Sequence, residues 1–139
     1  MNEIAENKYP TKKVIKNYMI FGTLIFNMPI FIYLLAVIIF RNDSMSIIIM
    51  MIALFFGMIS SAIIFAMTAY LLSDLKITIT KPTDYYKPFS VAFVVSLVMF
   101  FLMSFMVVSP LAGFFVSLVL AVFMGIISAV LAKFILPKS

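Results

Sequence analysis

Long apolar runs alternate with short polar punctuation along this chain. The first 16 residues are polar and mixed in charge, with Glu3, Glu6, Lys8, Lys12, Lys13 and Lys16. An apolar run then covers 18–40, until "RNDS" at 41–44 interrupts it. A second run covers 45–72, and the polar stretch "SDLKITITKPTDYYK" follows at 73–87. From Pro88 to Leu136 the text is almost continuously apolar. A single helix of that length would measure about 70 Å against a hydrocarbon core of roughly 30 Å, so the segment must fold back. "SPLAG" at 109–113 is the turn-like segment available, because Pro and Gly punctuate helices. The pattern predicts an all-α membrane protein with four transmembrane helices, near 18–40, 45–72, 89–108 and 111–135. Residues 1–16 read as a cytoplasmic N-terminal segment and 17–139 as one four-helix transmembrane domain.

Composition fits that reading. Of 139 residues, 65% are hydrophobic and only 11% charged, against about 25% charged in a typical globular chain. The first apolar run is too long for a signal-peptide core, and no small-residue cleavage site closes it. Orientation follows from the basic residues. With four spans, the head, the middle loop and the tail share one side of the membrane, and all nine lysines lie there; Arg41 stands alone on the other. The bias predicts a multi-pass protein of the bacterial cytoplasmic (inner) membrane with both termini cytoplasmic. Tyr9, Tyr18, Tyr70, Tyr85 and Tyr86 are placed to form an aromatic belt at that face.

One phrase is written twice. "ALFFGMISSAI" begins at Ala53 and "AVFMGIISAVL" at Ala121, with Ala, Phe, Gly, Ile and Ser in register. "PT" also precedes both the first helix (Pro10, Thr11) and the third (Pro82, Thr83). These echoes predict two tandem helical hairpins related by a pseudo-two-fold axis along the membrane normal. Within the phrase, Ala53, Gly57 and Ser61 form an i+4 stripe, and Gly113, Ser117, Ala121, Gly125 and Ala129 form a longer one. Lipid tails are as apolar as Leu, so helices in a bilayer associate through close backbone approach and interhelical hydrogen bonds, which small residues permit. The two stripes are expected to meet each other, or else to form an interface with an oligomer or partner.

Candidate chemistry is sparse. Cys and His are absent, which excludes disulfides and thiolate or imidazole ligation of metal or haem. Away from their ends the apolar runs hold no Asp, Glu, Lys, Arg or His, so the intramembrane carboxylate that proton-coupled carriers use is missing. No nucleophile–base pair, Gly-rich phosphate loop or paired carboxylate is legible, so no enzyme activity, cofactor or metal is expected. A net charge of +5 comes without a recognition motif or a basic patch interleaved with aromatics, so nucleic acid is not an expected partner.

Two polar features remain. In "TLIFNMP", Thr23 and Asn27 share a helix face, and Pro29 cannot donate to the carbonyl of Ile25. Thr23 or Asn27 is expected to serve that carbonyl, or the freed group is open to a solute. The middle loop concentrates Asp74, Lys76, Lys81, Asp84 and Lys87 as a candidate cytoplasmic docking surface. The leading functional expectation is a non-enzymatic protein working by helix–helix association with another membrane protein, as an accessory subunit or an immunity or exclusion factor. The alternative is a small oligomeric channel, holin or carrier for an apolar or weakly polar solute. Besides the lipid bilayer, the expected partner is a membrane protein or a second copy of the chain.

Overall fold

A computed structural model describes residues 9–104 and 109–137. Glu3, Glu6, Lys8 and Lys138, and the expected end of the third span at 105–108, lie outside the described residues. Four helices are long and apolar enough to cross a membrane: α1 (Thr11–Phe40), α2 (Ser44–Asp74), α3 (Tyr86–Ser104) and α4 (Pro110–Ile135). A 3-10 turn, Pro82–Tyr85, leads into α3. Helix α1 begins seven residues before the apolar run, so Lys12, Lys13 and Lys16 stand on its first turns with exposed side chains. At 30 residues it is about 45 Å long, which exceeds the hydrocarbon core and carries those lysines beyond it.

Local chemistry sets the helix ends. Asn42, at φ 47°, reverses the chain after α1, a conformation Asn tolerates better than most residues. Asp43 then caps α2, its carboxylate accepting from the Met45 N–H and the Ser46 hydroxyl. These two bonds, the Ser46 one first, hold the Asp43 carboxyl below its ordinary range. Helix α2 ends on Lys76 at φ 51°, and the Ile77 N–H returns to the Leu72 carbonyl. That is the pattern of a left-handed C-terminal cap, usually occupied by Gly. Pro110 opens α4, where its missing N–H does no harm.

Helix α1 packs chiefly on α2 and α3 chiefly on α4. The contiguous apolar core joins the pairs on the loop side, through Val14, Tyr18, Ile64, Phe65, Leu72, Met124 and Leu131. Phe26, stacked on Phe100 at 6.2 Å and tilted against Phe123 at 5.8 Å, lies deepest in it. Beyond that level α2 is almost bare: none of its residues before Ser61 is buried. The middle loop closes the other end, with Ile79 buried and its N–H donating to the Pro137 carbonyl. The Tyr9 hydroxyl donates to the Ile77 carbonyl at 2.7 Å. Tyr9, the middle loop and Pro137 therefore lie together at one end of the four helices.

Tyr18 differs from its expected place. It is fully buried and donates to the Ser128 carbonyl across 3.0 Å, tying α1 to α4 inside the bundle. A phenol whose hydroxyl finds a carbonyl has no need of the interface. Tyr70 and Tyr86 are exposed, as belt residues would be.

Candidate functional site

The small-residue stripes turn inward, but they do not face each other. A Cβ on Gly57 would meet the Asn27 Oδ1 at 2.6 Å and Ile30 next, so this stripe lies against α1. On α4, Gly113 approaches Ser104 and Gly125 approaches Phe89, so that stripe lies against the α3 side. Gly113, Ser117, Ala121 and Gly125 are buried, and Ala129 is half-buried. On α2, Ser61 is buried and Gly57 half-buried, whereas Ala53 is exposed. A small residue admits a close neighbour without choosing which neighbour, and the bulky residue opposite decides that.

Most hydroxyls inside the bundle are satisfied within their own helix. Ser61 donates to Gly57 O, Thr68 to Ile64 O, Ser96 to Ala92 O and Ser117 to Gly113 O, each one turn back. Ser128 crosses to the Pro88 carbonyl instead. In an apolar medium this self-satisfaction is the expected solution.

Asn27 and Thr23 break that rule. Asn27 is 5% exposed. Its Nδ2 donates to the Thr23 carbonyl at 2.8 Å and to the Ser61 Oγ at 3.0 Å, and Ser61 passes its own proton to Gly57 O at 2.6 Å. A carbonyl only accepts, so the amide nitrogen must face Thr23 and the amide orientation is fixed. Both amide N–H groups are thereby used. The Oδ1 is left in the notch opened by Gly57, buried and without a partner. The Thr23 Oγ1 is also buried and unpartnered, unlike every hydroxyl named above. Neither group serves the Ile25 carbonyl, so the expected patch for Pro29 is not made. Pro29 faces outward, and α1 runs through it without a break.

The residues Thr23 and Asn27 line, with Leu24, Met28, Phe31, Leu54 and Met58, a half-open and almost wholly apolar cavity of about 340 Å³ between α1 and α2, and their two unpartnered atoms lie buried behind its wall. Its size falls in the range of small-molecule sites, roughly 300–1,000 Å³. Asn27 stands 13 residues, about 20 Å, from the far end of α1 and about 24 Å from its start, near the middle of the helix. No protein-family model, curated protein or solved structure matches this chain. Function must be argued from the site alone.

The loop residues share no comparable site. Asp84 accepts from the Thr80 N–H, the Thr80 hydroxyl and the Lys81 N–H, and its second oxygen lies 3.5 Å from Lys87 Nζ. Its carboxylate is thus occupied in shaping the turn into α3. Asp74 ends α2, while Lys76 and Lys81 are exposed beside it.

Sequence reasoning singled out Thr23 and Asn27 but missed Ser61 as the partner of Asn27, and Gly22 as the seat of Phe65. A Cβ on Gly22 would lie 2.5 Å from the Phe65 ring. The one available signal was the i+4 spacing of Tyr18, Gly22 and Phe26, which puts Gly22 between two bulky residues on one face.

Proposed function

We propose that the protein is a non-enzymatic, multi-pass protein of the bacterial cytoplasmic membrane that binds a weakly polar, lipid-soluble solute between α1 and α2. The chain would form two tandem hairpins with both termini cytoplasmic, and neither metal nor cofactor takes part. The observation that carries this reading is the pair of buried, unpartnered polar atoms, Asn27 Oδ1 and Thr23 Oγ1, on two residues that line one cavity near the middle of α1. Leaving a buried polar group unmade is destabilising by about 1–3 kcal/mol. Two such groups one turn apart on α1, facing a stretch of α2 where Ser61 and Thr68 satisfy their hydroxyls within their own helix, fit a site whose partner comes from outside. The other buried hydroxyl without a partner among the described residues, Ser73, lies at the loop end of α2. The walls of the cavity favour an apolar body.

The channel form of this reading has less support. Among the described residues, the apolar core between the helices holds Tyr18, Phe26, Phe65 and Met124. Association with another membrane protein stands as a second reading, favoured by a separate observation. The outer half of α2 buries no residue and exposes Ala53, leaving room for a further helix there. Protein purified into lipid nanodiscs and examined by native mass spectrometry tests the two together. A retained small molecule that is lost in Asn27→Leu supports solute binding. A stoichiometric protein partner, lost when Ala53 is replaced by Phe, supports association. Bare protein in both measurements refutes both.

A further inference from the structure

We infer that the solute carries a hydroxyl group, an alcohol or phenol on an apolar body, which docks between Asn27 and Thr23 from the bilayer side. This rests on the solute-binding reading above and specifies its chemistry.

The two orphan groups have different needs. The Asn27 Oδ1 is only an acceptor, so the ligand must bring a donor. The Thr23 Oγ1 has its own proton free, because it does not return it to the preceding turn as Thr68 does to Ile64. A single hydroxyl answers both, donating its proton to Oδ1 while its oxygen accepts from Thr23. An acyl chain would fill the cavity but leave both groups unmade. An ether or ketone would serve Thr23 alone. No charged side chain lines the cavity, so an ion has no counter-charge there. Phosphate headgroups lie too far from the midplane to reach it.

Access is lateral. Met28 and Met58, 60% and 45% exposed, stand on the cavity wall, and Met58 follows the Gly57 notch directly. Both are unbranched thioethers that change rotamer readily. Their displacement is the route by which a molecule arriving from the lipid would reach the wall in front of Asn27 and Thr23.

The test uses the full-length protein in phosphatidylcholine vesicles and two photoreactive probes. One is a diazirine-bearing long-chain alcohol, the other its methyl ether, identical in apolar body. The alcohol should label peptides containing Leu24–Phe31 or Leu54–Met58 at probe concentrations on the order of tenfold below those the ether needs, the penalty expected for leaving a buried acceptor unmade. Thr23→Val keeps the shape of the side chain and breaks no bond in the protein, so its fold is expected to be preserved. It should weaken alcohol labelling severalfold and leave ether labelling lower still or absent. Equal labelling by alcohol and ether, or no effect of Thr23→Val, overturns the hydroxyl assignment while leaving the cavity as an apolar site. Absence of specific labelling by either probe, in a protein that elutes as a single folded species, overturns the solute-binding reading itself.

Discussion

Adding one methyl group at Gly22 should do more damage than adding one at Gly125, although Gly125 lies in the longer small-residue stripe. At Gly22 the new carbon would sit 2.5, 2.6 and 2.7 Å from Cγ, Cδ2 and Cδ1 of Phe65. Carbon atoms pack at about 3.5–4.0 Å, so the shortfall is roughly 1 Å. The atoms met are the root of the ring, which turning the ring about its own axis does not carry away, and Phe65 is fully buried, so swinging the whole ring about χ1 has no free space to enter. The backbones of α1 and α2 must therefore separate, which also stretches the Asn27–Ser61 bond one turn further along. Overpacking of this kind costs about 1–3 kcal/mol, while replacing Gly by Ala in a helix returns about 1 kcal/mol. Gly22→Ala should be destabilising by up to about 2 kcal/mol, toward the upper end because the clash is with three ring atoms. At Gly125 the new carbon meets Cδ2 and Cε2 of Phe89 at 2.8 Å and Cζ at 3.2 Å, the outer edge of a half-buried ring that can swing aside. There the helix-propensity gain offsets the contact, and stability should stay within about 0.5 kcal/mol of the parent. Fluorescence-detected size-exclusion chromatography of heated detergent extracts reads both variants on one scale. If Gly22→Ala survives heating as well as the parent protein, or Gly125→Ala proves the weaker, the packing of α1 on α2 is not as described.

Ser61→Ala removes the hydroxyl that accepts from Asn27, and should lower stability by about 1 kcal/mol in the same assay; no change would mean the Asn27 amide is satisfied elsewhere. Lys76→Gly should stabilise by roughly 1 kcal/mol by relieving the left-handed backbone that ends α2, and a loss would show that the Lys76 side chain has a contact of its own. Burial pushes the Tyr9 phenol up to about 12 from its ordinary value of 10.0. Its folded-state value is raised, so the stability it contributes is present below pH 10 and is lost as pH climbs through 12. Tyr9→Phe should flatten that alkaline loss in a pH series of melting curves; an unchanged loss would assign it to other groups. Reporter fusions after Phe40 should read periplasmic, and fusions after Lys81 and Ser139 cytoplasmic, with a contrary result at Lys81 sufficient to reject four spans.

The helices were legible because membrane helices announce themselves by length and apolarity, and the four runs in the sequence lie within the four helices found, apart from 105–108, which is outside the described residues. Thr23 and Asn27 were legible for a related reason: a polar group in an apolar run has few neighbours to hide among. What spacing along one helix cannot supply is the neighbour on another. Ser61 lies 34 residues from Asn27, and Phe65 meets Gly22 across the same interface. Those pairings depend on how two antiparallel helices slide against each other, a register that nearly uniform apolar text leaves open. Tyr18 failed in the same way. Its position at the head of a span suits the interface, but the Ser128 carbonyl on α4 draws it into the core.

The repeated phrase shows the same limit from the other side. Gly57 stands seventeen residues before the end of α2 and Gly125 ten before the end of α4, a difference in depth of about 10 Å. Identical letters meet different surroundings: Ala53 is exposed and Ala121 buried, and Ile59 is 46% exposed against 4% for Ile127. The copies share one physical instruction, to let another backbone come close, and each carries it out against a different surface. In α4 the approach comes from Phe89, and the stripe is sealed into the bundle. In α2 it comes from Asn27, whose amide nitrogen is anchored by Ser61 at the position where the second copy has Ala129. That departure from the repeat, Ser for Ala, gives the second amide N–H its partner, while the Thr23 carbonyl sets the orientation that leaves the oxygen in the Gly57 notch. Replacing Ala129 by Ser in α4 should create no second site, because the neighbour it needs, an Asn on the facing helix, is absent from α3.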